Sequence, residues 1–310
     1  MATTVDGELV GFIGIGNAGR PMARHLARAG HDLLVYDADA ARAGEFAAAH
    51  GCRVAAAPRE LAAVSVLFTM LPDGEVVREV LLGAGGLAAH LVPGTIVIDA
   101  SSSDPQGTRE LAAELARHAV ALIDAAVSAA VVRGAELGRI TFIVGADDQG
   151  ALARVRPLLE TMSEHIFHVG PTGAGHTMQT LNDYVSAAGL YAALDALVIG
   201  CEYGLDPMAM LEVLNVSTGR NFSTEQTLRH HALRRDFDTG HTLALAVKDL
   251  RIAALVAERA GFDGEMFALL VAGFEAALAD LGADADLTAA LLHWEHRAGL
   301  ELPLREPARA

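Results

Sequence analysis

Gly14-Ile15-Gly16-Asn17-Ala18-Gly19 has the spacing G-x-G-x-x-G, directly after an apolar run over residues 9–15 and directly before a helical pattern over 18–29. The spacing alone is a weak signal, but a strand before it and a helix after it are the context the motif requires. Gly14 permits the tight turn, Gly16 lets the backbone approach a pyrophosphate, and Gly19 lets the helix pack close to the strand. Asn17 and Ala18 open the helix, whose free N–H groups and positive dipole end suit phosphates. A second apolar run, 32–36, ends at Asp37, about 20 residues past the glycines, where an acidic residue bonds the adenosine ribose hydroxyls. A carboxylate there repels a 2′-phosphate, so NAD is expected ahead of NADP, and Arg42 is the one nearby residue that softens the preference. The plainer alternatives are an ordinary strand-to-helix turn and an Asp37 that only caps the following helix.

The elements around this turn come in two rhythms. Over residues 9–170, short apolar runs at 9–15, 32–36, 65–71, 95–99, 121–127, 140–144 and 166–169 alternate with amphipathic stretches. Gly30 and Gly51 stand where helices commonly end. Such alternation predicts a parallel sheet covered on both faces, an α/β doubly wound fold of the Rossmann type. After Gly170 no strand-like run follows, and helical periodicity covers about 175–203, 243–260, 265–281 and 287–298. Another helix opens at Asp206-Pro207, where Asp caps and Pro suits the first helical position. The expected division is a dinucleotide-binding domain over 1–170 and an all-helical domain over 171–310, beginning with a long helix.

Composition narrows the function classes. The 310 residues fit about two domains, and 52% apolar against 20% charged residues allows a sizeable core. The net charge of −16 offers no electrostatic footprint for nucleic acid or anionic membranes. Cys52 and Cys201 cannot build a disulfide framework and read as small buried residues. No C-x-x-C or H-E-x-x-H spacing points to a metal. The apolar stretch 184–201 carries Asp195 and many small residues, so it reads as a buried helix rather than a membrane span. The first eight residues lack the order of a signal peptide, and the expected location is the cytoplasm.

At this point the chain resembles the β-hydroxyacid dehydrogenase family, which includes 3-hydroxyisobutyrate dehydrogenases and tartronate semialdehyde reductases. The likeness is carried, in order, by residues 11–23, Thr69-Met70-Leu71-Pro72-Asp73-Gly74, Asp99-Ala100-Ser101-Ser102-Ser103-Asp104-Pro105, Asp124-Ala125-Ala126-Val127-Ser128, Gly170-Pro171-Thr172-Gly173-Ala174-Gly175 and Lys248-Asp249-Leu250. The resemblance implies a Rossmann domain, a long interdomain helix, a helical substrate and dimerisation domain, and homodimers or homotetramers. It implies that Leu71, Pro72 and Ser102 pack around the nicotinamide half of NAD and that Lys248 stands beside the cofactor.

The catalytic segment departs from the family pattern. Gln179 stands where a lysine proton donor is expected, Asn182 is kept, and Asp183 replaces a second asparagine. Ser128 is kept, but Ala129 and Ala130 follow where two glycines are usual, in a loop that also holds Arg133. A carboxamide hydrogen-bonds but does not exchange a proton at neutral pH, whereas acid–base help typically contributes ~10²–10⁴-fold. Residues 176, 179 and 183 share one helix face. Asp183 is the first candidate for the proton relay, since a carboxylic acid desolvated beside nicotinamide is held protonated. His176 is the second, and Ser128 could orient substrate or relay through water. Relative to the family, the pocket loses one positive charge with the lysine and gains a negative one if Asp183 is ionised, a shift of about −2 that suits a neutral carbonyl or a cationic iminium better than a hydroxyacid anion. Arg133 and Arg220 could restore a carboxylate site from another direction. Three readings follow: an NAD-dependent oxidoreductase acting on a small carbonyl or alcohol, an imine or iminium reductase on the same scaffold, and a catalytically silent NAD-binding protein. Phe222, Phe237 and Trp294 either line the pocket or fill the core.

Overall fold

The computed structural model describes residues 7–128 and 137–303. The chain forms two compact units, Met1–Gln179 and Thr180–Ala310.

In the first unit eight strands form one sheet in the order β3-β2-β1-β4-β5-β6-β7-β8. They are β1 (Leu9–Ile13), β2 (Asp32–Tyr36), β3 (Arg53–Val54), β4 (Val66–Thr69), β5 (Ile96–Asp99), β6 (Ala121–Ser128), β7 (Thr141–Gly145) and β8 (His165–Gly170). The first six have the strand order of a dinucleotide-binding sheet, and their pairings are all parallel. Successive side chains of a strand point to opposite faces, and the cores divide accordingly. Val10, Phe12, Val66, Phe68, Ile96 and Ile98 pack with Met22 and Leu26 of α1 (Gly19–Arg28), Phe46 of α2 (Ala40–His50) and Val155 of the helix Gln149–Glu160. Ile13, Leu67 and Val97 pack with Val77 and Leu81 of α3 (Gly74–Leu82) and with Leu111 and Leu115 of α4 (Pro105–Ala116).

The sheet differs from the expected all-parallel one in a single pairing, because β6 and β7 run antiparallel. An antiparallel pairing needs no crossover to the far end of the sheet, and the β6–β7 connection of twelve residues is the shortest between consecutive paired strands. The short β3 at Arg53–Val54 has no counterpart in the hydropathy pattern, because both its residues are exposed. The cap expected at Asp206 is present, with its side chain accepting from Ala209 N; Asp73, Asp104 and Asp148 likewise accept first-turn N–H groups of α3, α4 and the helix Gln149–Glu160, here α5.

The helix α6 (Ala174–Glu202) begins in the first unit and continues in the second. By length and composition it could cross a membrane, and only 28% of its most apolar window is buried. The expectation of a buried helix over 184–201 is therefore corrected. Leu190, Ala193, Leu194 and Leu197 are buried in the core of the second unit, with Tyr184, Ala187, Tyr191 and Val198 partly buried against it, while Val185 and Ile199 are exposed. That core is closed by α7 (Pro207–Val216), α8 (Leu243–Arg259), α9 (Glu265–Leu281) and α10 (Ala290–Ala298). The helix α10 is preceded by a 3₁₀ turn, Leu287–Ala289, rather than running from residue 287. Trp294 is a core residue whose Nε1 donates to Asp195 Oδ1 at 2.8 Å. Cys52 and Cys201 are half-buried rather than fully buried, and desolvation pushes both thiols up.

Candidate active site

The glycine turn is shaped by sterics that can be read position by position. Gly14 has φ +98°, and a Cβ on it would overlap the Met70 carbonyl. Its N–H donates to Tyr36 O at 2.9 Å, joining the turn to β2. A Cβ on Gly19 would overlap the Gly14 carbonyl and press on the Phe12 ring. Gly16 is different: a Cβ there would meet nothing within 4 Å, so the space it leaves faces outward. Beside it α1 opens at Ala18 with no side-chain cap and no acidic residue in its first turn. Its first N–H groups and the positive dipole end are left for an anion. A pyrophosphate fits this cradle: an open glycine, an uncapped helix start and the half-open Asn17-Ala18 corner stand together.

Asp37 does not cap the following helix; Asp39 does, accepting from Ala41 N and Arg42 N. The Asp37 carboxylate instead accepts from Ile15 N at 2.7 Å and from Asp39 N at 2.9 Å, tying β2 to the glycine turn. Arg42 Nη1 lies 3.5 Å from Asp37 Oδ1 and its Nη2 lies 3.7 Å from Asp39 Oδ2.

At the ends of β4 and β5 the chain builds a second polar group. Asp99 Oδ1 accepts from Thr69 Oγ1 and from Ser101 N, both at 3.0 Å, and Oδ2 accepts from Ser103 Oγ at 3.1 Å. Ser101 Oγ in turn accepts from Leu71 N at 3.0 Å, which fixes the Leu71-Pro72 turn. Between two buried serines, Ser102 is half-buried, and its Oγ accepts from Gln179 Nε2 at 3.4 Å. Gln179 itself is buried.

His176 is also placed in the first unit, without accessible surface. Its Nδ1 lies 2.8 Å from Thr108 Oγ1, its backbone N–H donates to Asp124 Oδ2 at 2.9 Å, and its Nε2 stands 3.9 Å from Asp99 Oδ2. The shared-face expectation for 176, 179 and 183 holds as helix spacing, but an enclosed ring offers no surface to a substrate. Asp99, Thr108 and Asp124 are not among the site residues expected from the sequence; the one signal is an acidic residue at the end of the apolar run 95–99 and another inside the run 121–127.

Ser128 ends β6, half-buried and opposite Thr141. Ala129, Ala130 and Arg133 lie outside the described residues. In the second unit Asn182 Nδ2 donates to Asp183 Oδ1 at 3.3 Å, and both residues are half-buried. Lys248, the only lysine in the chain, sits on α8 with Nζ 3.2 Å from Asp249 Oδ1. Arg220 is exposed and pairs with Glu225 at 3.4 Å. Phe222 is exposed, and Phe237 is half-buried with φ +45°. Among the described residues one group brings metal-type donors within reach of each other, His231 with Asp236 and Asp238. Its imidazole Nδ1 already lies 3.1 and 3.0 Å from the two carboxylates.

Known proteins resemble this chain over nearly its whole length. Residues 9–170 match the family described as the NAD binding domain of 6-phosphogluconate dehydrogenase. Residues 173–294 match the NAD-binding family of NADP-dependent 3-hydroxyisobutyrate dehydrogenase. A 2-(hydroxymethyl)glutarate dehydrogenase of Eubacterium barkeri is 31% identical over 94% of this chain and 97% of its own. The chain belongs to the β-hydroxyacid dehydrogenase family. An NAD-dependent L-serine dehydrogenase of Pseudomonas aeruginosa is 32% identical over 80% of this chain and 85% of its own. The structure of Mycobacterium tuberculosis 3-hydroxyisobutyrate dehydrogenase with L-serine matches with TM-score 0.84 and 31% identity, over 92% of this chain and 98% of that one. A Streptomyces aurantiacus imine reductase, at TM-score 0.62 and 20% identity over 92% and 99% of the two chains, shares the fold. As a β-hydroxyacid dehydrogenase family member, the chain is an NAD-dependent oxidoreductase by class.

Proposed function

We propose that this oxidoreductase moves a hydride between NAD(H) and a small neutral carbonyl or its alcohol, with Gln179 orienting the substrate oxygen and Asp183 relaying the proton. NAD, when bound, supplies or accepts the hydride at its nicotinamide ring. Gly14, Gly16, Asn17, Ala18 and Gly19 are assigned to the pyrophosphate, Asp37 to the adenosine ribose, and Leu71, Pro72, Ser102 and Lys248 to the nicotinamide side.

One contact carries the reading: the Gln179 carboxamide donates to Ser102 Oγ at 3.4 Å, just past the end of β5, in the loop assigned here to the nicotinamide. A carboxamide there donates a hydrogen bond to a substrate oxygen without adding charge. Reduction of a carbonyl still needs a proton at oxygen. Asp183 follows Gln179 by one helical turn, and Asn182 donates to its carboxylate at 3.3 Å. Ser128 is a second route, through water, and His176 is assigned a positioning role because it is enclosed. Relatives in the family are named for 2-(hydroxymethyl)glutarate and L-serine. The loss of a lysine and gain of an aspartate favour a less anionic substrate here, since like charges in a desolvated site repel.

The same carboxamide supports a second reading. An iminium arrives already protonated, so its reduction needs no lysine. NADH consumption with a panel of aldehydes, semialdehydes and cyclic imines separates the two, because turnover of imines alone would discard the carbonyl reading. The paired change Gln179→Lys with Asp183→Asn is expected to raise activity on 3-hydroxyacids at least ~10-fold. No gain on 3-hydroxyacids refutes the charge argument. We further infer a cytoplasmic homodimer or homotetramer with no nucleic-acid or membrane partner; the net charge of −16 supports the lack of a nucleic-acid partner. Sedimentation velocity and cell fractionation test the assembly and the location.

A further inference from the structure

We propose that Asp124 is a positioning residue for hydride transfer: its enclosed carboxylate fastens the first turn of α6 to the sheet and so sets where Gln179 meets Ser102. The inference rests on the functional reading above.

Asp124 lies on β6, in register with Asp99 of β5 on one side and Gly145 of β7 on the other. It has no accessible surface. Its Oδ1 accepts from Gly173 N at 2.6 Å and its Oδ2 from His176 N at 2.9 Å. Those two N–H groups flank the start of α6, where a helix leaves its first donors unpaired. The carboxylate thus does the work of an N-cap from a neighbouring strand rather than from the preceding residue.

The space around it is closed by two glycines. A Cβ on Gly145 would come within 2.8 Å of both Asp124 oxygens, and a Cβ on Gly175 would stand 2.7 Å from Oδ2. The helix start therefore has one seat on the sheet. Burial pushes the Asp124 carboxyl up, while the His176 ring and the two N–H donors pull it back. A buried ionisable group held this way is a poor device for stability alone, since apolar packing often serves as well. What it adds is a defined location.

That location matters because the other partner is held by the same kind of device one strand away. Asp99 accepts from Thr69, Ser101 and Ser103 and so fixes the loop that carries Ser102. His176 links the two devices, with its backbone on Asp124 and its ring between Thr108 and Asp99. Gln179 follows His176 by three residues, so a shift of the first turn moves its carboxamide directly.

The test is a double-mutant cycle with Asp124→Asn and Gln179→Ala. In Asp124→Asn one carboxylate oxygen becomes an NH₂ group facing an N–H donor, so the turn must shift. The single change is expected to lower kcat about 10–10²-fold while the Kd for NADH, read by fluorescence, stays within about twofold. Because Asp124 acts through Gln179, adding Asp124→Asn to Gln179→Ala should cost no more than about twofold. Equal losses in both backgrounds, or an unchanged kcat, overturn the proposal. If Asp124→Asn does not fold, Thr108→Val loosens the same turn through His176. Its expected loss is about threefold, absent in the Gln179→Ala background, and a loss that persists there is equally fatal. A wild-type chain that binds NADH but turns over none of the panel refutes the functional reading by itself. Amide exchange over 173–180 then decides the anchor, with at least tenfold faster exchange expected in Asp124→Asn or, if that variant does not fold, in Thr108→Val, and unchanged exchange refuting it.

Discussion

Replacing the three glycines of the first turn one at a time by alanine separates folding from cofactor binding. Gly14→Ala forces an L-residue into φ +98° and drives a methyl group into the Met70 carbonyl. The left-handed backbone costs about 1–2 kcal/mol, and relief of the overlap by backbone movement costs about 1–3 kcal/mol more. A loss near 3 kcal/mol lowers the midpoint of thermal unfolding by roughly 6–12 °C for a domain of this size. Gly19→Ala meets the Gly14 carbonyl and the Phe12 ring and belongs with it. Gly16→Ala adds a methyl group with no protein atom within 4 Å, at a φ outside the left-handed range. Its effect on stability is expected within about 0.5 kcal/mol. The methyl group occupies the approach of the pyrophosphate, however, and takes charge-assisted bonds worth about 1.5–3 kcal/mol out of reach. NADH affinity should fall about 10–10²-fold. Circular dichroism melts and NADH fluorescence titrations on the three variants make the measurement. A Gly16→Ala protein that binds NADH like wild type, or that melts like Gly14→Ala, refutes the assignment of the cradle.

The remaining expectations concern charge. Arg42 reaches both Asp37 and Asp39 with a half-exposed side chain, so it is placed to offset the carboxylate that repels a 2′-phosphate. Arg42→Ala should weaken NADPH binding about tenfold and leave NADH within about twofold; equal shifts for both in a fluorescence titration would remove Arg42 from cofactor choice. His241 keeps some surface yet is surrounded by protein, and desolvation holds its imidazole below the ordinary value against the opposing pull of Asp249 and Asp286, with Lys248 adding to the depression. The unfolded chain then takes up the proton first as pH falls, so this contribution is complete above about pH 6.5 and is lost below it. Unfolding midpoints at pH 7.5 and 5.5 should converge in His241→Gln relative to wild type, and an identical pH dependence in the two proteins would refute the assignment.

The glycine turn was legible in the residues themselves because what it requires is local. A tight turn, a close strand–helix contact and an open approach are backbone sterics within six residues, and Gly14, Gly16 and Gly19 meet them one each. The cap at Asp206 was legible for the same reason, as short-range competition for first-turn N–H groups. The antiparallel β7 was not, because hydropathy records which residues are buried and says nothing of which way a strand runs. His176 shows the limit most clearly. Its spacing to Gln179 and Asp183 is a property of the helix, but its enclosure depends on Thr108 and Asp124, 68 and 52 residues away in the chain. Asp124 likewise reads as an ordinary acidic residue in an apolar run until Gly145 and Gly175 close over it. Local geometry was therefore written in the sequence, whereas the choice between a group that meets substrate and a group that holds the framework was made only when distant strands and the start of α6 came together.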